Sequence, residues 1–328
     1  MNNMNERRMT AIFWIHVILF VLVITGGLPR SVVPLWTAAL LVYAILVPPV
    51  EVAVFFIRAV PLFIAIPITS TFDNFNMWRP LAVVVFCRWA WDSRLFLFQT
   101  VQSWRSLPRR YPVITGLFLF FILALMSISV AADSVSAVKK IILLANALMV
   151  PLVVADGIRS HKLDFRTLAH SIYVAAAIVT VVGFMQLAST YAMDVYQFMR
   201  LWGENIQLRQ FGTEWSYIVT HVGNTWLAYY GSQLSLRVFS LFTDSHTFPM
   251  YLLMALPAVF ALSLGRLSHT ENQTRFMTML RTRASLAIVW VPLMYLIIIL
   301  SGTRGIWAAF IPVVFLSLLL LPWMRRHW

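Results

Sequence analysis

The sequence is poor in charged residues and contains a single cysteine. Asp, Glu, Lys and Arg make up only 11% of the chain, whereas soluble globular domains contain about 25% of these residues. This shortage argues against an ordinary soluble domain, and a hydrophobic content of 60% favours a protein with several membrane spans. The one cysteine, Cys87, excludes an intramolecular disulfide and disfavours a thiolate metal site.

Several motifs that would reveal a chemistry are missing as well. The chain has no Gly-rich phosphate loop, no nucleophile elbow and no HExxH pair. No cluster of histidines and acidic residues has the spacing of metal ligands. We therefore predict neither a metal nor a nucleotide or other cofactor. Internal repeats and low-complexity tracts are absent too, and the first apolar run lacks the cleavage site of a signal peptide.

Acidic residues are outnumbered by basic ones. The chain carries 25 Lys and Arg residues against 12 Asp and Glu residues, for a formal net charge of +13. In a membrane protein, basic loops on the cytoplasmic side are the first explanation for such an excess. Nucleic-acid binding is disfavoured, because the basic residues are scattered among the apolar runs and form no separate basic domain.

Long apolar runs dominate the chain, and a membrane span needs about 20 such residues. We predict an all-α polytopic membrane helix bundle of about ten transmembrane helices, forming a single integral membrane domain over residues 1–328. The predicted spans are Ala11–Leu28, Ser31–Pro48, Val50–Thr69, Met77–Trp91, Pro112–Val130, Lys140–Ala155, Leu168–Leu187, Phe248–Leu264, Ala284–Leu300 and Gly305–Leu321.

The basic residues predict the orientation of these spans. If ten spans alternate, most Lys and Arg residues fall on the side of the two termini, which is therefore predicted to be cytoplasmic. That set comprises Arg7, Arg8, Arg94, Arg105, Arg109, Arg110, Arg159, Lys162, Arg166, Arg266, Arg275, Arg281, Arg283, Arg325 and Arg326. The smaller outer set comprises Arg30, Arg79, Lys139, Lys140, Arg200, Arg209, Arg237 and Arg304.

One outer connection, residues 188–247, is much longer than the few residues that a simple loop needs. It is rich in large aromatic residues, which argues against disorder. We expect short, partly interfacial helices that lie on the outer surface and line a cavity between spans. Its tryptophans and tyrosines are Tyr191, Tyr196, Trp202, Trp215, Tyr217, Trp226, Tyr229 and Tyr230.

Two arginines, Arg237 and Arg304, stand at predicted outer ends of spans. The planar guanidinium of arginine binds phosphate oxygens in a bidentate manner. The alternative is that both are interfacial anchors whose side chains extend to lipid headgroups. Basic residues on the outer side run against the positive-inside rule, which favours the phosphate-binding interpretation.

Acidic and histidine residues supply the remaining candidates. Asp244 and His246 can form a general base with a carboxylate that fixes the imidazole tautomer. Asp244 can equally be the N-cap of the following span, because Asp is favoured at that position. Glu51 and Arg58, seven residues apart in an apolar run, share one helical face, and a structural ion pair is the preferred interpretation.

Several segments, read in order, also carry a resemblance to a known family. They are Ile66–Phe75, Phe120–Val154, Val181–Leu187, Arg237–Leu253 and Leu300–Phe310. Together they resemble the O-antigen ligase family over most of the chain from about Ile64 onward. Within RVFSLFTDSHTFPMYLL, the residues Arg237, Phe242 and Asp244 match the family pattern, and within LSGTRGIWAAF the residues Arg304 and Trp307 match it.

The resemblance implies a metal-independent membrane glycosyltransferase in the bacterial inner membrane. It would transfer a glycan from a polyprenyl diphosphate carrier to a lipid or glycan acceptor at the outer face. Arg237 and Arg304 would bind the diphosphate. The resemblance supplies no catalytic histidine within this sequence, and either His246, beside Asp244, or His221 could take the place of that base. Aromatic rings of the outer connection would stack on sugars, the candidates being Trp202, Trp215, Trp226 and Tyr230.

This sequence departs from the family pattern at a few places. Ser240 stands where glycine is usual, and His246 stands near the position of a usual asparagine. The family also has a later outer loop with a histidine, whereas this sequence ends at Trp328, so either it is a fragment or that part is missing. A polysaccharide polymerase, a transporter and an inactive binder of carrier lipid remain alternatives. The transporter is disfavoured because Gly and Pro are not arranged in paired halves.

Overall fold

The computed structural model describes residues 3–69, 73, 75–93, 112–223, 225–264 and 289–327. The predicted basic residues Arg94, Arg105, Arg109, Arg110, Arg266, Arg275, Arg281 and Arg283 lie outside the described residues. The first residues of the predicted span Ala284–Leu300 lie outside them as well.

Helices form most of the described chain. They are α1 (Asn3–Thr25), α2 (Val32–Leu46), α3 (Pro49–Ala59), α4 (Trp78–Asp92), α5 (Pro112–Met126), α6 (Ser134–Arg159), α7 (Phe165–Ala192), α8 (Val195–Met199), α9 (Leu208–Phe211), α10 (Thr213–Tyr217), α11 (Thr247–Leu264), α12 (Val289–Leu300) and α13 (Arg304–His327). Short 3₁₀ helices cover Val60–Leu62 and Ser127–Val130, and π-helices cover Arg200–Gln207 and Ile218–Val222. The strands are β1 (Ala65–Ile66), β2 (Phe75–Asn76), β3 (Leu227–Tyr230) and β4 (Gln233–Leu236), which form two antiparallel pairs, β1 with β2 and β3 with β4.

Three of these helices are long and apolar enough to cross a membrane, namely Asn5–Thr25, Ser134–Arg159 and Phe165–Ala192. Shorter apolar helical segments cover Val32–Leu46, Thr115–Val130, Thr247–Leu262, Val289–Leu300 and Arg304–Leu316. The long helices and the apolar composition together indicate an α-helical membrane protein.

The chain divides into two compact units. In the first unit, which comprises Leu35–Phe56 and Met77–Leu163, helix α4 packs against α6. The indole N–H of Trp89 donates to a carboxylate oxygen of Asp156 at 2.9 Å and joins the two helices. Helix α5 exposes a row of large apolar side chains, as expected of a surface that meets lipid.

The second unit comprises Asn2–Pro34, Ile57–Asn76 and Asp164–Trp328. Helix α7 packs against α11, and α11 packs against α13. A side chain at Gly183 of α7 would meet Ile297 of α12 at 3.0 Å and Phe248 of α11 at 3.3 Å. The glycine therefore permits the close approach of these apolar helices.

The predicted span Val50–Thr69 is not one continuous helix. Helix α3 ends at Ala59, and a 3₁₀ turn and strand β1 follow. Pro61 explains the break, because proline lacks the N–H that would continue the hydrogen bonds of the α-helix. In the second unit, Gln210 donates to the carbonyl of Pro61 at 3.4 Å and Arg30 donates to that of Ala65 at 3.2 Å. Buried non-helical backbone thus finds its partners inside the protein.

The long connection 188–247 contains short helices, as predicted. Helix α7 extends to Ala192, five residues past the predicted end of its span, and α8 to α10 with two π-helices follow. The hairpin of β3 and β4 was not predicted. Its register pairs Tyr230 with Gln233, and Gly231 makes the turn with a φ of 67°.

Candidate functional site

The candidate site lies at a segment between β4 and α11, which we name the arginine turn (residues 237–246). It has no regular secondary structure, yet Val238, Phe239 and Ser240 are fully buried. Because buried N–H and C=O groups need hydrogen-bond partners, side chains from elsewhere in the second unit must supply them.

Gln186, near the end of α7, supplies most of these bonds. Its side-chain oxygen accepts from the backbone N–H of Phe239 at 3.2 Å and of Ser240 at 2.7 Å. Its amide nitrogen donates to the carbonyl of Ser240 at 3.0 Å. Ser240 has a φ of 53°, a conformation that favours glycine, and its hydroxyl donates to the carbonyl of Val179 at 2.6 Å.

Two further buried glutamines hold the next residues of the turn. Gln210 donates to the carbonyl of Leu241 at 3.1 Å, and Gln207 donates to that of Phe242 at 3.2 Å. The oxygen of the Gln207 side chain accepts from the indole N–H of Trp215 at 2.9 Å. Polar residues of the long connection therefore fix the backbone of the arginine turn.

Arg237 opens the turn and reaches the segment between α12 and α13. Its Nε donates to the carbonyl of Ser301 at 3.0 Å, and one Nη contacts the hydroxyl of Thr303 at 3.3 Å. The Thr303 hydroxyl in turn donates to the carbonyl of Ser245 at 2.8 Å. Arg304 is the next residue along the chain, so Arg237 contacts the segment that directly precedes Arg304.

Arg304 is the first residue of α13, and its side chain is exposed. Gly302 makes the turn before it with a φ of 67°. The amino end of a helix carries partial positive charge and free N–H groups, both of which favour an anion. The exposed guanidinium and the helix end together make this corner electropositive.

Asp244 acts as the N-terminal cap of α11. One of its oxygens accepts from the backbone N–H groups of His246 and Thr247, each at 2.8 Å. Burial alone raises the pKa of Asp244, but hydrogen bonds from Thr247, His246 and Thr243 outweigh it and hold the pKa below its usual value. Of the two roles that the sequence allowed for Asp244, the structure therefore contains the helix cap.

His246 follows the cap and is exposed, with 52% of its side chain accessible. Its Nδ1 lies 3.8 Å from a carboxylate oxygen of Asp244, which is longer than a hydrogen bond. The two side chains thus converge, as a base and its orienting acid require, but the carboxylate bonds to backbone N–H groups and hydroxyls.

The predicted sugar-stacking residues fall into different environments. Trp226 is 0% exposed and stacks on Phe239 at 4.2 Å, while Trp202 is 7% exposed and packs edge-on against the same ring. No sugar reaches these two indoles without opening the core, so we reassign both to packing. Trp215 is half-buried. Tyr230 lies in β3, and its side chain is outside the described part.

The predicted ion pair of Arg58 is also corrected. The described partners of Arg58 are hydroxyl and imidazole groups rather than a carboxylate. Glu51 accepts a hydrogen bond from the hydroxyl of Tyr43 at 2.8 Å. Seven residues along a helix correspond to about 10 Å, so sharing a face does not bring the two side chains into contact.

A second cluster of polar residues in this unit was not predicted from the sequence. Arg30 forms an ion pair with Asp73 at 2.7 Å, and both the backbone N–H and the hydroxyl of Thr213 donate to the same carboxylate. Burial raises the pKa of Asp73, but the bonds from Arg30 and Thr213 lower it more, so the pKa lies below its usual value. Gly212 has a φ of 102°, and a side chain there would collide with Asp73.

Comparison with protein-family models, curated proteins and solved structures gave no match. Among the residues that the structure describes, His, Cys, Asp and Glu form no group of three or more that could hold a metal ion.

Proposed function

We propose that the protein is a membrane glycosyltransferase of the O-antigen ligase type. It transfers a glycan from a polyprenyl diphosphate carrier to a lipid or glycan acceptor. The observation that supports this proposal is the contact of Arg237 with Ser301 and Thr303, directly before Arg304. In this proposal, two arginines far apart in the sequence contribute positive charge at the start of α13, and that charge suits a diphosphate.

The two arginines have different tasks in this proposal. Arg237 is held by its Nε and one Nη, which leaves the other amino group of its fork to bind a phosphate oxygen. Arg304 is exposed and can close over the ligand from the end of α13. Together they stabilise the negative charge that develops on the diphosphate leaving group, as the acceptor oxygen bonds to the anomeric carbon and the bond from that carbon to the phosphate oxygen breaks.

The proposed base is His246. It is exposed beside the turn, and a small rotation would bring its Nδ1 from 3.8 Å to hydrogen-bond distance of Asp244. The neutral imidazole would then take a proton from the acceptor hydroxyl through its other nitrogen. Asp244, whose pKa is held low, stays ionised and orients the ring.

The proposal includes the ten-span topology, with both termini in the cytoplasm of a bacterial cell and the arginine turn on the outer side of the inner membrane. Cys87 is the only cysteine, so Cys87→Ser gives a cysteine-free background. In that background, Tyr229→Cys should react with a membrane-impermeant maleimide on intact cells, and Arg7→Cys should react only after lysis. The reverse labelling would refute this orientation.

The function is tested by glycan transfer in the membranes of a host that lacks its own ligase. Arg237→Ala and Arg304→Ala should abolish transfer while the protein still inserts. Arg200→Ala is the matched control, because Arg200 is an exposed arginine of the same long connection. An inactive parent, or equal loss in the control, would contradict the proposal. If the glycan on the carrier becomes longer and is not transferred to a lipid acceptor, the protein is instead a polymerase.

A further inference from the structure

Arg58 occupies a buried site in the second unit that the proposed transfer reaction does not use. It lies in the last turn of α3 and is only 3% exposed. Its Nη atoms lie 3.3 Å from the Thr10 hydroxyl of α1 and 3.3 Å from the Ser171 hydroxyl of α7, and 3.4 Å from Nδ1 of His170. We name these four residues the Arg58 site.

The guanidinium of Arg58 is poorly satisfied. Charge-assisted hydrogen bonds of arginine are about 2.7–2.9 Å long, and all three contacts here are longer. Its Nε has no hydrogen-bond partner among the described residues. The ring of Phe13, 5.5 Å from the guanidinium carbon, adds only a cation–π contact.

An intramembrane cation without a close carboxylate is costly and usually faces a ligand or another charge. Within the described chain, Arg58 makes no ion pair. Glu6 interacts with it through space but is itself exposed on α1. The charge of Arg58 therefore lacks a partner in contact, although the cation is almost fully buried.

The site is open on one side. His170 is exposed and Thr10 is half-buried, so a ligand can approach along the surface of α7 and α1. Arg166, one turn before His170, is exposed and interacts electrostatically with it. Because this opening contains the two cations Arg58 and Arg166 and the anion Glu6, its net charge is positive.

We propose that the Arg58 site binds a phosphate group, carried by the headgroup of an anionic phospholipid. The arginine fork suits phosphate geometry, and the hydroxyl of the half-buried Thr10 is an additional donor. Basic pockets between transmembrane helices are a common form of lipid-headgroup site. The phosphate would supply short hydrogen bonds in place of the long contacts that Arg58 makes within the protein.

The test measures thermal unfolding of the purified protein in an uncharged detergent. Phosphatidylglycerol should raise the apparent Tm, and phosphatidylcholine, whose phosphate is compensated by choline, should not. In Arg58→Lys and Arg166→Gln the half-saturating concentration of phosphatidylglycerol should rise roughly tenfold. A change of that size corresponds to the loss of about one charge-assisted hydrogen bond. Lys140→Gln, which removes an exposed cation from the first unit, should respond like the parent.

Each outcome of this test decides the proposal. If inorganic phosphate alone raises the Tm and Arg166→Gln weakens the effect, the site is a phosphate site with a soluble ligand. Equal stabilisation by both phospholipids, or the parent's response in Arg58→Lys and Arg166→Gln, would reduce Arg58 to a structural link between helices. Should Arg58→Lys fail to fold, Arg166→Gln and His170→Ala decide, since both side chains are exposed. None of these results depends on glycan transfer.

Discussion

Two kinds of backbone stand side by side in the second unit, the apolar helices and the non-helical arginine turn. In α7, the buried hydroxyl of Thr180 donates to the carbonyl of Ala176 in its own helix at 2.7 Å. Gln186, also buried in α7, instead bonds to the backbone of Phe239 and Ser240 in the turn. Helices satisfy their own backbone, whereas irregular segments at a buried position depend on side chains from distant parts of the chain.

The largest effect should come from Gln186→Leu. It leaves two N–H groups and one carbonyl of the arginine turn without partners, and each such group costs about 1–3 kcal/mol, so we expect a loss of about 4 kcal/mol. The matched control is Thr180→Val in the same helix, which should change stability by about 1 kcal/mol or less because the bond it removes is local. Thermal unfolding in detergent compares the two, and equal losses would contradict the proposed dependence of the turn on Gln186.

Asp73→Asn should have the second largest effect. It leaves Arg30, whose side chain is only 15% exposed, without a counter-charge, and breaking such a buried pair costs about 3 kcal/mol. The exposed pair of Arg88 and Asp92 is the control, where Asp92→Asn should cost about 0.5 kcal/mol. Denaturant titration of both variants measures the difference, and similar values would show that burial does not strengthen the Arg30 pair.

The same carboxylate predicts a pH dependence. Because the pKa of Asp73 is lower in the folded state, its contribution is fully present above the unfolded-state value of about 3.9. It is lost as the pH falls through the lower folded-state pKa. The parent should therefore lose stability on acidification more steeply than Asp73→Asn. Parallel curves in unfolding experiments between neutral and acidic pH would contradict this assignment.

Ser240 offers a smaller test of the backbone in the turn. Both Ser240→Gly and Ser240→Ala lose the hydrogen bond to Val179. Only glycine relieves the positive φ, so the glycine variant should be more stable than the alanine variant by about 1 kcal/mol. Thermal unfolding of the two variants, measured under one set of conditions, decides the sign.

Asp244→Ala should lower stability by about 1 kcal/mol through the loss of a helix cap. Asp164→Ala removes the corresponding cap of α7 and is the control for stability alone. If Asp244 also orients His246, glycan transfer should fall in Asp244→Ala and not in Asp164→Ala. Equal activities would leave Asp244 with its capping role.

The predicted elements differ in how well they match the structure, and the differences have physical causes. Apolar runs such as Leu168–Leu187 lie within helices, because an uninterrupted hydrophobic segment satisfies its backbone only as a helix. The helix in the predicted span Val50–Thr69 ends at Ala59. Hydropathy alone does not show that Pro61 interrupts this helix. The hairpin at Gly231 and the burial of Trp226 depend on packing that hydropathy does not describe.

The candidate site divides in the same way. Arg237 and Arg304 were predicted from their positions at ends of apolar runs, and the structure brings their segments together through Thr303. Gln186 lies in Val181–Leu187, one of the segments that resemble the family, but the sequence does not show whether a glutamine near an apolar run faces solvent or backbone. Gln207 and Gln210 had no signal of their own. The Asp73 cluster joins three sequence regions and was missed for that reason.

The sequence by itself determined the apolar helices, the capping role open to Asp244 and the presence of arginines at span ends. Each follows from local composition, which fixes where a chain can bury itself in lipid and where a helix can begin. Only the tertiary structure decided that Gln186 holds the arginine turn, that Trp226 is core and that Arg58 meets hydroxyls rather than Glu51. These are contacts between residues far apart in sequence, and their free energies depend on burial and geometry that no local pattern encodes.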